Sequence, residues 1–325
     1  MKALVYEKYG SPDYLEIREI AKPTPKNNEV LVKVHAVSIN DWDWGLFQDN
    51  FMTRPGRIFS RSLKILGSDI AGRVESVGPD VKQFTPGDAV FGDLSRYIGG
   101  FGGFAEFVCA SESQLAVKPD SMTFEQAAAI PQAGMLALQA LAAGGPLKSG
   151  QRILINGAGG GVGTFAIQLA KVHNVEVTGV DSAMKLDMLR SLGFDHVIDY
   201  KTEDFTKSGK LYDLIVDPKT NRPASDFARV LNPGGTYATV GGTSHLGQFM
   251  ALGPWLRRKY KRNFCLVMLK QNRDLPYLSE LFEAGKFTPV IDGPYQFSEH
   301  EVRKAFRHFG AAEHKGKIVV TVANS

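Results

Sequence analysis

Cysteine is nearly absent: the 325-residue chain holds two, Cys109 and Cys265, far apart in sequence. Two thiols exclude a disulfide framework and cannot build a structural zinc lobe held by four thiolates. Both are expected as small buried hydrophobes. Histidine is also sparse, and its seven copies show no ligand spacing. His35, on an apolar strand, is expected to be structural. Long apolar runs are missing as well. No stretch approaches the roughly 18 residues a membrane span requires. The opening MKALVYEKYG lacks the apolar segment and small-residue cleavage site of a secretory signal, so a cytoplasmic address follows by default. Charge of one sign is lacking too. The chain has 38 basic and 34 acidic residues, a net charge of +4, which predicts no nucleic-acid partner. The local exception is WLRRKYKRN, from Trp255 to Asn263. It is expected as a solvated helix face beside the apolar FCLVML rather than as a membrane or RNA contact.

What is present is a soluble globular composition, 43% hydrophobic and 22% charged, in a chain too long for one core. The first 120 or so residues read as β-rich. VLVKVHAV (Val30 to Val37) alternates apolar and polar residues as a half-buried strand does, and AGRVESV repeats the pattern before a Gly-Pro-Asp turn. Short strands punctuated by Gly and Pro predict a compact barrel-like domain. The texture changes near Thr123, where FEQAAAIPQAGMLALQAL reads as helix with a break at Pro131. From Arg152 onward strands and helices alternate, which predicts a parallel, doubly wound sheet. The last strands, FTPVID and KGKIVVTV, resemble the first domain again.

The strongest motif is ILINGAGGGVG, Ile153 to Gly163. An apolar strand runs into a glycine turn that opens a helix. Ala158, Gly160 and Gly163 fill the three positions of G/A-x-G-x-x-G, with Gly161 and Val162 between the last two. Missing side chains permit a tight turn, close approach of a pyrophosphate and tight helix–strand packing. The helix N-terminus offers free N–H groups to the phosphates. Asp181 ends the next strand, where a carboxylate would bond the ribose 2′-hydroxyl of NAD and repel a 2′-phosphate. Ser182 and Lys185 follow at once, and that pair suits a 2′-phosphate. Local chemistry leaves the choice open.

These residues together resemble the medium-chain dehydrogenase/reductase family, in its zinc-lacking quinone oxidoreductase branch. The resemblance rests on SINDWD, LGSDIAGRVESVG, GFAEFV, AAAIPQAG, GAGGGVG, DHVIDY and GKIVVTV, in that order along the whole chain. It implies an α/β protein with a GroES-like catalytic domain over residues 1–125, completed by 268–325, around a Rossmann domain over 126–267. Zinc-dependent relatives have cysteine where this chain has Asn40 and histidine where it has Ser68, so no metal is expected. In NADPH-using members a [ST]-x-x-K segment and a later tyrosine match Ser182, Lys185 and Tyr200. NADP(H) is therefore favoured over NAD(H), with Asp181 as the departure. Leu136 also departs, standing where the family commonly has threonine. Family habit favours a homodimer.

Without a metal, the negative charge that develops during hydride transfer must be spread by the acceptor itself. Quinones and α,β-unsaturated carbonyls do this; plain ketones more often need a Lewis acid or a matched proton donor. Asn40 is expected to present its amide to nicotinamide or substrate, with turn capping as the alternative. Asp43 is expected to brace that loop rather than act as an acid. Tyr97, in the loop-like SRYIGGFGG, carries a hydroxyl that could protonate an enolate. Trp42, Trp44, Phe47, Tyr97 and Phe101 are candidates for an apolar wall, or for core. Gly241 and Gly242 should let the nicotinamide approach closely. The rivals are a zinc-free reductase of simple carbonyls and a non-catalytic NADPH-binding, redox-sensing or RNA-binding protein.

Overall fold

The computed structural model describes residues 1–48, 64–95, 102–241 and 254–322. The chain forms two compact units, Met1–Gln132 with Gln271–Ala284 and Ile291–Ser325, and Ala133–Lys270 with Gly285–Val290. The first boundary thus falls at Gln132 rather than near 125, because helix Phe124–Ala129 belongs to the first unit. Its Phe124 ring stacks on His35 at 4.2 Å between centroids. The short return of 285–290 to the second unit was not anticipated. It is tied there by Phe287 against Phe165 and by reciprocal bonds between Thr288 and Gln168.

The first unit is β-rich. One sheet runs in the order Ile291–Gln296, Lys317–Thr321, Glu29–Ser38, Asp69–Val77, Ala89–Asp93 and Ala116–Val117, with Phe107–Ser111 pairing on Glu29–Ser38. Three strands, Leu15–Glu19, Lys2–Tyr6 and Lys64–Ile65, form a second sheet. Val30 to Val37 was expected to be half-buried. It is buried throughout except at Lys33, because helix Phe124–Ala129 covers the face that alternation assigned to solvent.

The second unit holds a six-stranded sheet whose pairings are all parallel. Its order is His196–Asp199, Glu176–Asp181, Arg152–Asn156, Tyr212–Asp217, Leu231–Thr239, Asn263–Leu266. The direction of winding reverses between the first and fourth of these in chain order, the point where such sheets open a crevice for a dinucleotide. Ile153, Leu154, Ile155, Val177, Ile215 and Val216 are fully buried, as expected for strands covered on both faces. Cys109 and Cys265, expected as buried, are half-buried. Each lies on a strand with one pairing partner, which leaves a flank open. Burial still raises both thiol pKa values, Cys109 to about 11. No helix among the described residues is long and apolar enough to cross a membrane.

Candidate active site

Strand Arg152–Asn156 delivers the chain into the glycine turn, and helix Gly161–Lys171 leaves it. Gly157 takes a φ of +92°, and the N–H groups of Gly157 and Ala158 both donate to the Val180 carbonyl. That fastens the turn to the neighbouring strand. The two family glycines then do different work. A Cβ at Gly163 would fall 2.4 Å from the Ala158 carbonyl oxygen, whereas one at Gly160 would meet nothing nearer than 3.6 Å. Gly163 allows the helix to close on the strand, and Gly160 leaves open space. Gly160 caps the helix without a side chain, so the N–H groups of Gly161, Val162 and Gly163 lack intrahelical partners. Such donors suit a phosphate.

Asp181, Ser182, Lys185 and Tyr200 gather at the ends of the two strands beside this turn, where the Tyr200 N–H donates to the Asp181 carbonyl. Asp181 is buried and turned inward. Its Oδ2 accepts the Gly159 N–H at 2.7 Å and its Oδ1 the Ser182 N–H at 2.8 Å. The carboxylate therefore braces the turn as well as closing its strand. Lys185 is not solvated: it is 2% exposed, its stem lies over Gly159, and its Nζ is 3.7 Å from Asp181 Oδ1. Tyr200 is 51% exposed.

A second group on this unit was missed in the sequence. Asp217, at the end of its strand, is fully buried. Its Oδ1 accepts the Asn156 amide and the N–H groups of Lys219 and Thr220, and its Oδ2 accepts the Tyr237 hydroxyl at 2.7 Å. Burial raises the pKa of both side chains. Thr220 is held at a φ of +47°, a conformation a β-branched residue rarely adopts. Its hydroxyl meets Thr239 Oγ1 at 2.5 Å and donates to the Gly241 carbonyl. Gly241, at a φ of +148°, is thereby held on this network. A lone aspartate in VDPKT carries no motif, and only the strand ends converging on it expose its role.

In the first unit Asn40 and Asp43 open helix Asp41–Phe47. Asp43 is fully buried, and its carboxylate accepts the Asn40 N–H at 2.9 Å and the Gly67 N–H at 2.8 Å. Burial lifts its pKa to about 6, against the pull of those two donors. Asn40 Nδ2 donates to Ser68 Oγ at 3.0 Å, and Asn40 Oδ1 accepts from the ammonium of Lys317. Lys317 also donates to the Ile39 carbonyl at 3.0 Å and lies 3.7 Å from Asp69 Oδ2. Asp69 accepts the Gln132 N–H, and burial raises its pKa to about 7 despite Lys317. Asp93 is shifted up for the same reason.

Residues 26–120 match the family model described as alcohol dehydrogenase GroES-like domain, and residues 192–320 the one described as zinc-binding dehydrogenase. Over 331 residues the chain is 36% identical to a chloroplastic quinone-oxidoreductase of Triphysaria versicolor, with 98% of each chain covered. It is 33% identical to an NADPH-dependent alkenal/one oxidoreductase, also chloroplastic, of Arabidopsis thaliana, covering 98% of this chain and 79% of that one. The quinone oxidoreductase structure from Coxiella burnetii superposes with a TM-score of 0.90 at 29% identity, covering 99% of both. The chain belongs to the medium-chain dehydrogenase/reductase family, in its quinone oxidoreductase branch.

As a medium-chain reductase it is an NAD(P)H-dependent oxidoreductase, and its remaining candidates can be placed on that scaffold. Tyr97, Phe101 and Gly242 lie outside the described residues, as does the Phe47 side chain. Trp44 packs into the first unit's core against Phe309 and over Gly310, while Trp42 is 58% exposed. His35 is buried and stacked on Phe124, and the described residues hold no group of three or more His, Cys, Asp or Glu that could bind a metal. The basic run is helical over 254–260, with Leu256 buried and Arg257, Arg258, Lys259 and Lys261 exposed. Arg262 turns back to the Leu231 and Tyr260 carbonyls.

Proposed function

We propose that this protein is an NADPH-dependent reductase of quinones and α,β-unsaturated carbonyls that works without a metal. The observation that carries the metal-free reading is the Lys317 ammonium seated on Asn40. Zinc would be implied by the second family description, but the donors do not fit it. The residues at positions 40 and 68 are an amide and a hydroxyl bonded to each other, with a cation on the amide oxygen. A divalent ion beside that ammonium would be repelled, and neither group is a zinc ligand of normal type. Charge relief then falls to the acceptor, which favours conjugated carbonyls.

When bound, the nicotinamide supplies the hydride. The chain's own part is to bind, orient and donate. The glycine turn and the N–H groups of Gly161, Val162 and Gly163 would hold the pyrophosphate. Ser182, Lys185 and Tyr200 would take the adenosine end, with Lys185 opposite the 2′-phosphate. Lys185 beside Asp181 supports NADPH over NADH, because the ammonium offsets the carboxylate's repulsion. Gly241 and Gly242 would lie against the nicotinamide. Asn40 Nδ2 bonds Ser68 Oγ, its amide also bonds Asp69, and it would turn a hydrogen to the acceptor oxygen as charge grows there. Asp43 braces the segment that carries it, and the Tyr97 hydroxyl would return the proton.

The test is a titration with NADPH and NADH, followed by turnover with quinones, enones, enals and plain aldehydes, before and after dialysis against a chelator. We expect NADPH to bind more tightly, and quinones and enones to turn over equally well in both samples. Turnover of plain aldehydes alone, or loss of activity on chelation, would overturn the reading.

A further inference from the structure

A buried lysine is an expensive choice on a terminal strand. Every residue of Lys317–Thr321 is buried, and the three after the lysine are the apolar Ile318, Val319 and Val320. Taking an ammonium out of water costs several kcal/mol unless its hydrogens are used. Those of Lys317 go to the Ile39 carbonyl and to Asn40 Oδ1, with the Asp69 carboxylate at 3.7 Å as counter-charge. Two of these three partners belong to the segment just before helix Asp41–Phe47, which is the segment that carries Asn40.

The chemistry of a carboxamide gives this arrangement its meaning. An asparagine side chain can be turned over, exchanging its oxygen and its NH2 group, and nothing intrinsic favours one state. Ser68 does not choose between them, because a hydroxyl donates and accepts equally well. An ammonium has only hydrogens to offer. Facing Lys317, the amide must present its oxygen, since the reverse would set donor against donor with a buried positive charge. The Asn40 NH2 is then committed to the other side. One of its hydrogens bonds Ser68 Oγ at 3.0 Å, and the amide also bonds the Asp69 side chain. An acceptor that gains negative charge on oxygen needs a donor; a turned amide would meet it with a lone pair.

We propose that Lys317 is a positioning residue that fixes the Asn40 carboxamide in its donating orientation, and that Asp69 holds Lys317 in place. The proposal rests on the reading in which Asn40 touches the acceptor. Lys317 does not touch the acceptor itself; it acts through the amide. Asp69 accepts the Gln132 N–H on the oxygen that faces Lys317, so the counter-ion is anchored to the backbone just after helix Phe124–Ala129 rather than free to swing.

The experiment is a double-mutant cycle on the full-length enzyme with NADPH and a soluble quinone. Asn40→Ala, Lys317→Met and the double variant are compared for kcat, for both KM values and for thermal stability. Lys317→Met is expected to lower kcat about 10- to 100-fold, less than the roughly 100- to 1,000-fold cost of deleting an oxyanion donor outright. The NADPH KM should stay within about twofold. In the Asn40→Ala background the same substitution should leave kcat unchanged, because the group it orients is gone. A merely structural lysine would lower kcat by the same factor in both backgrounds, and that result overturns the proposal. Full activity of Lys317→Met beside an impaired Asn40→Ala also overturns it and leaves the function reading standing. Full activity of Asn40→Ala overturns both. If Lys317→Met fails to fold with Asp69 uncompensated, the cycle is run with Asp69→Asn added to every variant, and the same outcomes decide.

Discussion

Single side chains here show how burial changes what a residue can do. Lys185 looks like a surface lysine in the sequence, yet it lies over Gly159 with its ammonium near Asp181. Replacing it by alanine should raise the KM for NADPH about 10- to 100-fold, the cost of one charge-assisted bond, and change the KM for NADH little. Steady-state titration of both cofactors checks this, and equal effects would remove Lys185 from the 2′-phosphate. Asp217 offers a second residue-scale test. Asp217→Ala would strip the acceptor from the Asn156 amide, two backbone N–H groups and the Tyr237 hydroxyl around a fully buried carboxylate. We expect a loss of about 3–5 kcal/mol, measured by denaturant unfolding. Asp217 lies in no patterned motif, and although Lys317 stands in GKIVVTV, nothing in that run shows which group its ammonium meets.

At the scale of elements, the strand–turn–helix unit was the most legible part of the chain. Its signal is local: an apolar strand, small residues at fixed offsets, then a helical period. The same unit separates packing from binding. Gly163→Ala should destabilise the protein by about 1–3 kcal/mol, because its methyl would meet the Ala158 backbone at 2.4 Å. Gly160→Ala should leave the melting temperature within a few degrees, since its Cβ meets nothing nearer than 3.6 Å, while raising the NADPH KM at least about tenfold. Melting curves and cofactor titrations of the two variants must differ in this way. A matching loss of stability in both would show that Gly160 also packs. Alternation was less reliable in Val30 to Val37, because burial there depends on a helix distant in sequence.

For the whole molecule, buried acids shape the response to pH, among them Asp69 and Asp43 of the first unit and Asp217 of the second. Asp69 titrates at about 7 and Asp43 at about 6, both above their ordinary value of 3.8 because burial disfavours the charged form. Between about pH 4 and 7 the folded state therefore binds more protons than the unfolded chain, so stability falls as pH rises through that window. Lys317, shifted down by burial, works in the opposite sense at higher pH. Asp13 and Asp195, shifted down, add stability that is lost only on acidification below their ordinary range. The melting temperature should be higher at pH 5.5 than at pH 8, and Asp69→Asn should flatten that slope. An unchanged slope in the variant would place the titration elsewhere.

The sequence by itself determined the parts whose cause is short-range. Small residues at 158, 160 and 163 specify the turn, repeated strand–helix alternation specifies the parallel sheet, and the residues at 40 and 68 support the proposal of a metal-free reaction. Tertiary structure decided what those residues face. Asn40 and Lys317 are 277 positions apart, and a carboxamide's orientation depends on which group meets its oxygen. The turn that opens the Rossmann unit is specified by small residues at fixed local offsets, whereas the amide that would meet the acceptor is aimed by a strand far along the chain.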